Sequence, residues 1–217
     1  MVAKVDGNTV RTQRTRSRVL AESLRLFNEL GEARVTTGAI AAALGISPGN
    51  LYYHFRNKDQ IVEELFARFE ERIDVQPGAA SSGAEAIEDL WLYLHLMLET
   101  ISDYRFIYRN LDDLLGRNRR LRERFNCVVD GKLAVVAALC ARLVEARLMR
   151  ARDEEIRALA RNVLVVATYW HNYQSLRARG GDTDVGQGAF QVMSLVAPYL
   201  VGEARAHLDR LGHTYLD

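Results

Sequence analysis

The chain has 217 residues, 48% of them hydrophobic, which is enough to bury a full core as one large or two small domains. A formal net charge of +1 excludes a globally basic binder, so any affinity for nucleic acid has to come from local placement of charge. The two cysteines, the shortness of every apolar run and the lack of a leader pattern point to a reduced, cytoplasmic chain with no disulfide framework and no membrane partner.

Basic residues crowd the beginning. Lys4, Arg11, Arg14, Arg16, Arg18 and Arg25 meet only Asp6 and Glu22 as opposing charges up to residue 25. By itself such a run reads as a solvated tail; next to a DNA-reading motif it reads as a flexible, phosphate-seeking arm over residues 1–13. Val19, Leu20, Leu24, Phe27 and Leu30 then mark an amphipathic helix that stops at Gly31.

Residues 36–55, TTGAIAAALGISPGNLYYHF, carry the strongest signal. Thr36 or Thr37 can cap a helix, because a hydroxyl there accepts an orphan backbone N–H. Ile40, Ala41 and Leu44 form an apolar stripe, and Gly45 supplies the positive φ of a tight interhelical turn. Ser47 caps the next helix and Pro48 stands at its first position, where a missing N–H costs little. Leu51 and Phe55 face inward, leaving Asn50, Tyr52, Tyr53 and His54 to point elsewhere. The pattern is that of a helix-turn-helix. Asn57 with Gln60 resembles a capping box, so a fourth helix runs from Lys58 through Ile61, Leu65, Phe66 and Phe69.

A loop is expected at 76–83, QPGAASSG, followed by a helix with Ile87, Leu90, Trp91, Leu94, Leu98 and Ile101 on one face. Tyr104–Leu115 reads as one short helix ending at Gly116, and Leu121 to about Arg147 as a long one that Gly131 does not interrupt. Cys127 and Cys140 lie thirteen apart on it, too far to pair, and read as small core residues. The next helix starts at Asp153 or Glu154 and ends at GGDTD, 180–184; a last one follows, which Pro198 kinks or breaks. With no strand pattern, the expected fold is all-α with about nine helices: a three-helix DNA-binding domain at 14–60, then a larger helical domain at 61–217. Residues 162–173, NVLVVATYWHNY, are apolar almost all round, which suggests burial on two sides.

The leading helix RVLAESLRLFNELG, the T-x-x-x-I-A opening of the second helix and the string GISPGNLYYHFRNKDQI together resemble the N-terminal domain of TetR/AcrR-family transcriptional regulators. The resemblance in motif covers about a quarter of the chain, from about Arg14 to Phe66. It implies a DNA-binding regulator of pseudo-palindromic operators, homodimeric through helices at about 154–178 and 185–210. A helical C-terminal effector and dimerisation domain would let a small molecule release a repressor from its operator. The alternative is a DNA-binding regulator without a small-molecule ligand, controlled by a partner protein.

The expected DNA-binding residues are Thr36, Thr37 and Gly38 at one helix N-terminus, and Ser47, Pro48, Gly49 and Asn50 at the tip of the second. Asn50 is placed for a direct base contact, since a carboxamide can bind adenine in two places. By analogy with the family, Tyr52, Tyr53 and His54 contact phosphate, sugar or thymine methyl groups, and Lys58 holds a phosphate. Packing of Tyr52 or Tyr53 against the first helix is the competing reading. Many members carry Lys or another long polar residue where Pro48 stands, which shifts weight toward Asn50, Lys58 and the arm.

Candidate effector contacts are Trp91, His95, Tyr108, Phe125, Tyr169, Trp170 and His171, aromatic or polar groups interrupting apolar faces; for each, ordinary core packing competes. The five histidines include no i, i+4 pair, and HExxH, GxSxG, P-loop and paired-cysteine motifs are missing, so neither an enzyme, a cofactor nor a metal site is expected.

Overall fold

A computed structural model describes residues 7–74, 84–177 and 184–213 of the chain. Lys4 and Asp6 of the expected arm, the expected 76–83 loop and residues 180–183 lie outside the described residues. The described residues form eleven α-helices: α1 Gly7–Leu30, α2 Thr37–Ala43, α3 Pro48–His54, α4 Lys58–Ile73, α5 Ala84–Asp103, α6 Arg105–Arg109, α7 Leu111–Arg117, α8 Arg119–Glu145, α9 Asp153–Arg177, α10 Val185–Val196 and α11 Glu203–His213.

Two breaks raise the count above nine. Asn110, at φ −132° and ψ 45°, leaves helical geometry and splits the single helix expected at Tyr104–Leu115 into α6 and α7. Pro198 has no N–H to continue α10, so the chain turns through a 3₁₀ segment, Ala197–Tyr199, and α11 begins after Gly202 at φ +57°. There Met149 and Leu200 form an isolated antiparallel bridge, with Arg150 N donating to Tyr199 O at 2.8 Å. Gly131 leaves α8 continuous. On that helix Cys140 is buried as expected, whereas Cys127 is exposed. None of the described helices is long and apolar enough to cross a membrane.

The first helix also departs from expectation. It begins at Gly7, so residues 7–13 are helical rather than part of a flexible arm. On its inner face Val19, Leu20, Leu26 and Phe27 are buried, whereas Leu30 is exposed. Leu26 fills the place that periodicity assigned to Leu30, which falls on the last residue before the turn.

A head of α1–α3 and the start of α4 shares a continuous core with the body of α5–α11. Asn28 ties the two: its side chain donates to Asp103 O at 2.7 Å and accepts from Phe106 N at 3.0 Å. Arg109 adds a bond to Asn28 O at 3.1 Å. The 3₁₀ turn Glu32–Arg34 supplies a second tie, because Glu32 is buried and its carboxylate pairs with Lys58 of the head and Arg117 of α7. Through these contacts α4 runs as one rod from head to body, with Arg124 of α8 paired to its Glu70 and Arg72 paired to Asp103 at 2.6 Å.

Candidate nucleic-acid interface

Local chemistry builds the helix-turn-helix as the sequence dictates. Thr36 caps α2, its hydroxyl accepting from Ala39 N at 3.1 Å; Ser47 caps α3, accepting from Asn50 N at 3.2 Å, with Pro48 in the first turn. Gly45 takes φ +65° between them, a conformation that costs a side-chain-bearing residue about 1 kcal/mol or more. Ile40, Leu51 and Phe55 are fully buried and hold α2 and α3 against α1 and α4. Asn57 accepts from Gln60 N at 2.9 Å, while the Gln60 side chain reaches back to Arg56 N, one residue before the cap.

That core leaves α3 standing as a ridge between two open clefts. One, of about 590 Å³, is lined from α1 by Arg11, Thr12, Arg14, Thr15 and Arg18, and from the other side by Ile46, Asn50, Tyr53 and His54. The other, of about 330 Å³, is lined by Val35, Thr36, Thr37, Tyr52, Arg56, Asn57 and Lys58. Ser47, Pro48, Gly49 and Asn50 are exposed at the tip of the ridge. Thr36 and Gly38 are exposed at the start of α2, with Thr37 half-buried. Tyr52 and Tyr53 are 51% and 76% exposed, and Tyr53 shares its cleft with residues of the first helix. The Tyr52 hydroxyl lies 3.0 Å from Thr37 Oγ1 and so joins the α3 flank to the start of α2. Tyr53 meets the His54 ring edge-on at 5.2 Å. Burial, then the charge of Arg16, lowers the His54 pKa, so its ring is a neutral hydrogen-bonding group near pH 7.

Three basic residues have other partners. Arg16 is a clamp within the head: it pairs with Glu64, donates to His54 O at 2.7 Å and stacks its guanidinium 4.2 Å above the Phe55 ring. Arg25 pairs with Glu22 and Glu29. Lys58, expected to hold a phosphate, is engaged by Glu32, at 2.9 Å to the carboxylate and 2.9 Å to the backbone carbonyl. Sequence reasoning missed Thr12, Thr15 and Arg56 at the clefts. Extending the helix of α1 back to residue 7 would have found the first two, which sit among Arg11, Arg14 and Arg18 at helical spacing.

The family described as bacterial regulatory proteins, tetR family, matches residues 19–65, and that described as TetR, bacterial transcriptional repressor, matches residues 68–208. The chain belongs to the TetR family. Its ridge and caps are therefore a TetR-family DNA-binding domain, and the family is one of transcriptional regulators rather than enzymes. The chain is 34% identical to a TetR-family transcriptional regulator from Marinobacter aquaeolei VT8, covering 93% of this chain and 98% of that one, with a TM-score of 0.80. It is 30% identical over 91 residues to the HTH-type transcriptional regulator TtgR of Pseudomonas putida, covering 42% of this chain and 43% of that protein. It is also 34% identical over 96 residues to the nucleoid occlusion factor SlmA of Shewanella frigidimarina, covering 43% of this chain and 49% of that protein. The matches thus span less than half the length of these curated relatives. A putative transcriptional regulator from Saccharomonospora viridis in complex with choline shares the fold, at 20% identity, 88% and 99% coverage and a TM-score of 0.69.

In this TetR-family chain the seven effector candidates do not converge. Trp91 and His95 stack one turn apart on α5, 5.5 Å between centroids, and His95 faces Glu99 at 3.4 Å. Tyr108 and Phe125 are core residues in edge contact at 5.9 Å, with Phe69 beside Tyr108. Tyr169 is 48% exposed on the outside of α9. Trp170 and His171 border a cavity among α5, α9 and α10 that holds only about 10 Å³. Burial, then Arg105 and Arg109, pushes the His171 pKa down to about 4, so that ring is neutral as well.

Proposed function

We propose that this regulator is a homodimeric repressor that reads a pseudo-palindromic operator with α3 and is released by a small-molecule effector. The observation that carries the reading is the exposed α3 ridge flanked by a cleft that Arg11, Arg14 and Arg18 line on one side. A ridge entering the major groove brings both flanks to the sugar–phosphate strands. Asn50 at the tip reads a base; Thr36, Thr37, Gly38, Ser47, Pro48, Gly49, Tyr52, Tyr53 and His54 hold the backbone and groove walls. Arg11, Arg14 and Arg18 supply the phosphate charge that the net charge of the whole chain does not. Lys58 joins them only when it leaves Glu32.

Dimerisation is supported by α9. Val165, Tyr169, Tyr173 and Leu176 are 48–87% exposed and recur at helical spacing on one face, an apolar strip that a soluble surface helix does not need. Pairing of α9 and the segment from α10 to α11 with their copies would cover it and set two α3 ridges against half-sites about one helical turn apart. A ligand that prefers another separation of the heads lowers DNA affinity by its differential binding to the two states.

Mobility shift on DNA upstream of the chain's own gene tests this reading. Wild type is expected to bind that DNA in preference to arbitrary sequence, with Asn50→Ala about 10- to 100-fold weaker on it and unchanged on arbitrary DNA. Equal binding of both DNAs by wild type, or of both proteins to the upstream DNA, overturns it.

A further inference from the structure

Among the described residues, one lysine or arginine side chain of the body is buried. Lys132, in the middle of α8, is 5% exposed. Its nearest carboxylate oxygen, on Asp74 at the end of α4, is 4.0 Å away, beyond hydrogen-bond reach, on a side chain that is 73% exposed. The ammonium lies 5.4 Å from the ring centroid of Tyr93 on α5. Tyr93 is 2% exposed, and its hydroxyl is buried with no hydrogen-bond partner. One turn away Leu90 and Met97 flank Tyr93 on α5 and Val129 and Val136 flank Lys132 on α8, while Asp89, also one turn from Tyr93, pairs with Arg142 of α8 at 3.7 Å. A phenol hydroxyl buried without an acceptor disfavours the unliganded fold, and the ammonium beside it has a long ion pair and a cation–π contact. Arg124 on the same helix pairs directly with Glu70. Lys132 instead meets its carboxylate at 4.0 Å, and Tyr93 presents a buried donor with no acceptor.

We propose that Lys132 and Tyr93 form the polar end of the effector site and bind the carboxylate of an apolar monocarboxylate, a fatty or aryl acid, whose body lies along the apolar faces of α5 and α8. The inference rests on the effector-released reading above and names its ligand class. The ammonium and the phenol O–H donate to the carboxylate oxygens, so the buried phenol gains the acceptor it lacks and the ammonium gains a carboxylate closer than Asp74. The ligand then competes with Asp74 for Lys132. Asp74 closes the C-terminus of α4, the helix whose first residue, Lys58, is held by Glu32 in the head, so occupancy acts on the rod that joins body to DNA-binding domain. The preferred charge is opposite to that of the choline held by the Saccharomonospora regulator.

Thermal melting and calorimetry on the full chain test this with octanoate and phenylacetate, each beside its primary amide, and with choline. At least one carboxylate is expected to raise the wild-type Tm where its amide does not. Lys132→Met is expected to bind that carboxylate about 10- to 100-fold more weakly, and to melt no lower than wild type without ligand. Tyr93→Phe keeps the ring and is expected to lose about 5- to 10-fold. Equal response to acid and amide, retained carboxylate affinity in Lys132→Met, or silence of every probe on wild type overturns the proposal. Stabilisation and operator release by choline or an amide alone overturns the carboxylate assignment while leaving the effector reading intact. An operator complex that none of the probes dissolves counts against both.

Discussion

Glu32→Gln separates the two roles of Lys58. The carboxylate is buried and holds Lys58 at 2.9 Å together with Arg117, whose side chains are 23% and 38% exposed. Removing one partner of a fully buried ion pair costs about 3–5 kcal/mol. Here the released cations lie part-way to water and can be resolvated, which reduces the loss to about 1–2 kcal/mol. At about 2–4 °C per kcal/mol for a chain of this size, the variant should melt several degrees lower. The same change removes the carboxylate from an ammonium beside the start of α2, leaving it the Glu32 carbonyl and a charge open to phosphate. Each phosphate neutralised steepens the dependence of log K on log salt by about 0.9, so a dimer with two freed Lys58 side chains should show a slope steeper by about 1.8 and tighter binding at low salt. The assays are thermal melting and operator titrations from low to moderate salt. A less stable protein that binds DNA more tightly is the expected outcome. Unchanged melting together with an unchanged salt slope would refute the reasoning that Glu32 restrains Lys58.

Arg14→Gln should weaken binding to all DNA sequences alike and flatten the salt slope by about 0.9 per head, measured by titration on operator and arbitrary DNA. Val165→Arg, in the exposed strip of α9, should shift the chain to monomer in sedimentation equilibrium and abolish tight operator binding while the fold persists by circular dichroism. Gly188→Leu should destabilise by about 1–3 kcal/mol in urea unfolding, since even a Cβ there would stand 2.8 Å from Trp170 Cδ1. For His171 the folded pKa is about 4 against the ordinary histidine value of 6.5, so the unfolded chain binds the extra proton. Its contribution to stability is complete above pH 6.5 and declines as pH falls toward 4; His171→Gln should show a shallower loss of stability across that window in unfolding titrations.

The helix-turn-helix was legible because its determinants are local. Thr36, Ser47 and Asn57 bond to amides three residues ahead, Gly45 answers to its own φ, and Leu51 and Phe55 follow helical period, all within reach of a short window. What the sequence hid depends on distant partners. Arg16 reads as a phosphate ligand until Glu64, 48 residues on, and the Phe55 ring are brought to it. Nothing near Glu32 in the sequence announces its ion pair with Arg117, 85 residues on. The aromatic effector candidates failed to converge for the same reason: periodicity reports which face of a helix is apolar, not which of several neighbours that face meets. Asn110 broke a helix that apolar spacing alone would continue, and Pro198, whose backbone chemistry is self-contained, broke one as expected.

The central claim is that two copies of the α3 ridge, held by one dimer, read DNA. Selection of bound sequences from a randomised duplex pool by the full-length protein tests it most directly. Enrichment of an inverted repeat with half-site centres about 10 bp apart, or a multiple of one helical turn, is expected, and loss of that enrichment in Asn50→Ala. No enriched sequence, or a single unpaired half-site bound by one copy, would contradict it.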